Sequence, residues 1–245
     1  MDQGGAIVDL RPYAAKLKWE VGIGTKHVQD ASYPFLIQEK YRAGYFTHYA
    51  GEGTIRSAKV TYNGEEVDLC LCRTKAHFSE EKAADGKVTR ILTLDPVEIE
   101  FDGLTVKLQT KEYFEEGNGS IRIERSVLEM SDPDAKVEIN EYMVACYGTT
   151  EYPEDMTGIV LTVKGDTAET INYEYKCREA AIFGAKEVSA VIPAIETKVS
   201  MTTEADAEGY IREGYAFSPM FTLGYKKTVS DKEVFSTWLN LEKAD

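Results

Sequence analysis

The chain has no uninterrupted apolar run long enough to cross a bilayer, and no basic start followed by an apolar leader. Those two absences give the expectation of a cytoplasmic protein. Histidine is scarce. His27, His48 and His77 form neither an HxH nor an HExxH pattern, so no metal site is written in the local sequence, and only a distributed site would gather them. The four cysteines, Cys70, Cys72, Cys146 and Cys177, include no CxxC pair. Cys70 and Cys72 stand two apart on a strand-like run, poor geometry for bridging to each other, so all four read as reduced and mostly buried thiols. Basic residues are few: 28 against 42 acidic, a net charge of -14. A field of that sign repels phosphate backbones and anionic membrane surfaces, which argues against nucleic acid or membrane as partners. There is no GxSxG elbow for a serine nucleophile and no phosphate-cradling loop. Gly22-Ile23-Gly24 and Gly51-Glu52-Gly53 lack a third glycine and a following helix, and read as turns.

What is present is β-pattern. Lys59–Leu69 and Val97–Leu108 each place an Asn-Gly or Asp-Gly pair between alternating apolar and polar runs. A mirror-image turn needs positive φ at both central residues, which Asn, Asp and Gly tolerate at least cost, so two hairpins are expected. Similar runs recur at Val88–Leu94, Ile121–Val127, Val137–Tyr147, Ile159–Val163, Ile171–Cys177, Val188–Ile195, Thr197–Thr203 and Val234–Leu241. About a dozen strands at turn-punctuated spacing, with little helix, predict an all-β antiparallel sandwich or jelly-roll. Length permits one domain, residues 1–245, with an irregular N-terminal segment 1–34. His77–Gly86 is polar and charged, with Ser79, Glu80, Glu81, Lys82 and Asp85, and reads as a helical turn or a loop. The 15 tyrosines suit half-exposed sheet faces.

Two strands carry a charge on an otherwise apolar face. Arg125 follows Ile121 and Ile123, and Glu141 interrupts Val137, Ile139 and Met143. Glu141 is therefore either buried and paired or next to a bulge. Glu98, Glu100, Glu124 and Glu141 all fall on strands. Sugar hydrolysis needs two carboxylates at a set separation, but strand glutamates are also the solvated half of ordinary alternation. The most site-like group is Tyr41, Arg42, Tyr45, His48 and Tyr49, which joins flat rings to a forked donor and an imidazole. It suits recognition of a sugar or polyphenol, and equally a protein interface. Tyr152 and Trp238 are further candidates of the same kind.

The run Glu39–Tyr45, followed by Ile55–Val67 with its Asn63-Gly64 turn, resembles the opening of the C-glycoside deglycosidase β subunits. The resemblance implies a β-sandwich bound to a larger, sugar-isomerase-like barrel subunit in a hetero-oligomer. The pair would act as a carbon–carbon lyase, separating a 3-oxo sugar from an aromatic aglycone such as a flavonoid. A base starts the elimination and a divalent metal, manganese or similar, stabilises the enolate. Both belong to the barrel, so the resemblance implies no cofactor and no catalytic residue in this chain, and no activity when it is alone. It would leave Tyr41, Arg42, Tyr45, His48 and Tyr49 as substrate or partner contacts. Two other readings stand beside it. One is a stand-alone mutarotase-like epimerase, which needs an acid and a base, commonly Glu and His, around the sugar C1 and ring oxygen. The other is a carbohydrate-binding module.

Overall fold

The computed structural model describes residues 54–69, 72, 74–115, 120–145, 158–174, 176–193, 197–214 and 221–244. The expected contact residues Tyr41, Arg42, Tyr45, His48 and Tyr49 lie outside them, as do segment 1–34, Tyr152, His27, Cys70 and Cys146. The described residues contain no α-helix and sixteen strands. In chain order these are β1 (Thr54–Tyr62), β2 (Glu65–Asp68), β3 (Ala76–Lys82), β4 (Val88–Leu94), β5 (Val97–Phe101) and β6 (Leu104–Glu115). Next come β7 (Ser120–Met130), β8 (Val137–Ala145), β9 (Val160–Lys164), β10 (Ala168–Asn172) and β11 (Glu179–Phe183). The chain closes with β12 (Glu187–Ile192), β13 (Thr197–Thr202), β14 (Glu208–Glu213), β15 (Phe221–Val229) and β16 (Val234–Lys243).

All pairings are antiparallel, as the hairpin-rich sequence predicts. Six strands form one sheet in the order β11-β14-β15-β8-β1-β2. Ten form the other, in the order β10-β9-β12-β13-β16-β7-β6-β4-β3, with β5 also paired to β6. β6 is long enough to hold two partners on one edge: Leu104–Leu108 pairs with β5 and Lys111–Glu115 with β4. The inner faces of both sheets supply one apolar cluster, including Val60, Ile139, Met143, Leu223 and Tyr225 from the smaller sheet. Leu108, Val127, Leu161, Val188, Val199, Phe235 and Leu239 come from the larger.

Turn chemistry followed the sequence at one hairpin and departed from it at the other. Asn63 and Gly64 both have positive φ, 47° and 84°. At Asp102-Gly103 only the glycine is left-handed, at 80°, so that turn is not the mirror-image type expected. The charged segment His77–Gly86 is mainly a strand, β3, joined to β4 by a turn in which the Ala83 N–H donates to Lys87. An edge strand draws its order from backbone bonds to one neighbour and buries almost nothing, so it shows no apolar alternation. The expected strand Ile171–Cys177 stops at Asn172, and Cys177 takes a left-handed φ of 57°. Its thiol is exposed, not buried, whereas Cys72 is half-buried, and both are free.

The chain here is turned to meet Glu213. Arg178 Nε donates to Glu213 Oε2 at 2.8 Å, and the Glu174 N–H donates to the same carboxylate. Burial opposes ionisation of Glu213, but these donors and the Lys176 N–H outweigh it and hold its pKa below the usual carboxylate range.

Glu141 proves to be buried and paired. Arg125 Nε donates to Glu141 Oε2 at 2.7 Å and Nη2 to Oε1 at 3.2 Å. Arg125 Nη1 donates to Thr110 Oγ1 at 2.6 Å. The two side chains are 2% and 0% exposed and tie β7 of the larger sheet to β8 of the smaller. Arg125→Ala strands a buried carboxylate and is expected to cost about 3–5 kcal/mol in urea unfolding. Arg125→Met with Glu141→Leu is expected to recover most of that loss. A cost for Arg125→Ala below about 1 kcal/mol would rule out the pair as the inter-sheet tie.

Candidate functional site

Strand alternation divides the ten-stranded sheet into an inner face of core residues and an outer face. On β7 the inner residues are Ile123, Arg125 and Val127, so Arg122, Glu124 and Ser126 point outward. On β16, Phe235, Thr237 and Leu239 point inward and Trp238 outward. Register then sets Trp238, Arg122 and Tyr113 side by side on three successive strands, β16, β7 and β6. In the next row Glu124 stands between Ser236 and Lys111.

Side-chain geometry converts that row into a cluster. The Tyr113 hydroxyl donates to Glu124 Oε2 at 2.6 Å. Arg122 Nη1 donates to Glu124 Oε1 at 2.9 Å, while its guanidinium lies over the Tyr113 ring, 3.8 Å from the centroid. The carboxylate is thus held at both oxygens, with its side chain 18% exposed. Burial, then the bond to Glu124 and its charge, push the Tyr113 phenol up to about 12. Tyr113 therefore stays a neutral donor at physiological pH. Two rings, a forked cation and a fixed carboxylate on one half-buried surface are the parts that bind polyhydroxylated rings: apolar sugar faces stack, and hydroxyls bond to the acid and the guanidinium.

Of the candidates read from sequence, Glu124 and Trp238 meet on this face. Glu141 lies on the inner side of the sandwich, so it and Glu124 cannot flank one glycosidic bond. Glu98 and Glu100 are exposed on β5, the solvated half of its alternation. His77 shares the outer face but stands three strands from Glu124, beyond Lys111 and Thr93, a separation of about 14 Å. Its Nε2 is 2.8 Å from Asp95 Oδ1. The Glu/His pair of an epimerase is therefore not made from Glu124 and His77.

Tyr113 and Arg122 were missed. The signal available was their place in phase with Glu124, but pairing of β6 with β7 has to be known before Tyr113 can be set beside Arg122. Among the described residues no group of three or more His, Cys, Asp or Glu is placed to hold a metal, and no helix is long and apolar enough to cross a membrane. An apolar cavity between Leu69, Leu94, Val97 and Leu108 has a volume of about 10 Å³, room for one water at most.

No protein-family model and no curated protein matches the chain. Solved structures do. An α-N-acetylgalactosaminidase from Bifidobacterium bifidum, NagBb, matches with a TM-score of 0.53 and 10% identity, over 80% of this chain and 36% of its own. A 4-α-glucanotransferase from Thermococcus litoralis matches with a TM-score of 0.50 and 11% identity, over 99% and 35%. A putative aldose 1-epimerase from Escherichia coli K12 gives 0.46 and 9%, over 76% and 79%. This chain spans about a third of the first two proteins. At such identities the likeness is one of fold: the chain is an antiparallel β-sandwich, and the first two proteins contain a similar fold.

Glu124→Gln removes the charge that disfavours the Tyr113 phenolate. In an ultraviolet titration, Tyr113 is expected to ionise at lower pH in the variant than in the parent, while its burial still holds it above the ordinary value near 10. An unchanged titration would show that the two groups do not interact in solution.

Proposed function

We propose that this chain is a mutarotase-like, carbohydrate-handling β-sandwich that binds a sugar ring on the outer face of its ten-stranded sheet. Trp238 and Tyr113 flank the ring, while Arg122 and Glu124 orient its hydroxyls. The observation that carries this reading is the Glu124 carboxylate, gripped by Tyr113 and Arg122 on a face that points away from the core. Two enzymes that contain a similar sandwich, NagBb and the glucanotransferase, act on carbohydrate by their names. In an epimerase the carboxylate would take the proton of the anomeric hydroxyl as the ring opens. The acid for the ring oxygen is a separate group from His77, given its distance.

Isothermal titration of the purified chain with glucose, galactose and N-acetylgalactosamine is the test. At least one sugar is expected to bind, with Trp238→Ala and Glu124→Gln each weakening it by about tenfold or more. Polarimetry on a pure anomer of the bound sugar then separates turnover from binding alone. If no sugar binds, the proposal fails, and the role of an inert subunit beside a catalytic barrel gains by comparison.

A further inference from the structure

The group around Glu124 holds its carboxylate at both oxygens but leaves much of its positive charge unmatched. The Tyr113 hydroxyl donates to one Glu124 oxygen and Arg122 Nη1 to the other. A guanidinium also offers N–H donors on Nε and Nη2. In Arg122 those two nitrogens meet no acceptor among the described residues. The side chain lies over the Tyr113 ring and is 38% exposed, so its remaining donors are open to a ligand.

A second cation stands beside it. Lys111 on β6 is the register partner of Glu124 on β7, and both project on the outer face. Opposite charges in that relation attract, and on the smaller sheet Lys226 does pair with its register partner Glu208, at 4.0 Å. Lys111 is half-buried and makes no ion pair among the described residues, since Tyr113 and Arg122 hold the carboxylate in its place. Arg122, Lys111 and Glu124 together are therefore net positive, on a chain whose net charge is -14. Glu81 and Glu115 stand one row away, on the far side of Tyr113 from Lys111.

We infer that the sugar taken by this site is a uronic acid, whose carboxylate bonds to the open donors of Arg122, and that Lys111 sets the preference for it. The inference rests on the sugar-binding reading of the site and deepens it by naming the class of ligand. A neutral sugar leaves the excess positive charge of the group uncompensated. A carboxylate brings two oxygens in one plane, which match the fork of a guanidinium, and a single negative charge, which balances Lys111. A phosphate group brings up to twice that charge. It would turn the group net negative, and the field of an acidic chain repels the second charge along with the first.

The experiment compares, by isothermal titration, glucose with glucuronate and galactose with galacturonate, and includes glucose 6-phosphate. At low salt at least one uronate is expected to bind about tenfold or more tighter than its neutral parent, from charge-assisted hydrogen bonds. Raising the salt to about 0.5 M screens exposed charges and is expected to shrink that ratio severalfold. In Lys111→Met the ratio is expected to fall toward one, and in Lys111→Arg, which keeps the charge, to persist. The salt series on the parent protein decides the matter if Lys111→Met fails to fold. A uronate that binds no tighter than its neutral parent overturns the inference while the sugar site stands. Tighter binding of glucose 6-phosphate than of glucuronate also overturns it. If no sugar of either kind binds, both readings fall together.

Discussion

The bidentate bond between Arg125 and Glu141 fixes the phase of the sandwich. Side chains alternate strictly along a strand, so a one-residue slip in β7 would carry Arg125 to solvent and Glu124 into the core. Either change leaves a charge buried without its partner. Because Arg125 must reach Glu141 across the core, Arg122 and Glu124 must project on the opposite face. The pairing of β7 with β6 on one side and β16 on the other then places Tyr113 and Trp238 beside them. The arrangement of the candidate site is thus the reverse side of a constraint inside the core.

That reverse side is polar but not fully solvated. Glu124 is more enclosed than an ordinary surface carboxylate, because Tyr113 and Arg122 occupy both of its oxygens and the two of them stack. A carboxylate held in this way is oriented before any ligand arrives, which reduces the ordering cost of binding. The sandwich itself is shared with proteins of different activity, so its shape says little about chemistry.

Much of the architecture was legible in the chain. Alternation located β4, β7, β8, β12, β13 and β16 to within a few residues, and Asn63-Gly64 turned as its chemistry requires. The two out-of-place charges, Arg125 and Glu141, were visible as breaks in apolar faces. That they answer one another was not, since sequence does not say which faces oppose. β3 escaped notice because an edge strand with nothing to bury has no period to read. The candidate site was legible only in pieces. Glu124 and Trp238 each stood out, but the register joining β6, β7 and β16 is what makes them neighbours, and register is a property of the folded sheet. The aromatic cluster at Tyr41–Tyr49 lies outside the described residues, and so does the Glu39–Tyr45 part of the stretch on which the resemblance to a deglycosidase subunit rests.

The smaller sheet ends differently on its outer side. There the Tyr210 ring lies over Gly224, so close that a Cβ at that glycine would sit 2.5 Å from the ring. Its hydroxyl donates to Asn140 and the Lys226 ammonium hovers 5.4 Å above it. A phenol pressed onto bare backbone acts as a shingle over β14 and β15 at that point. The tile and the bare patch under it are consequently one device: a methyl group at Gly224 would lift the ring and open the backbone beneath it to water.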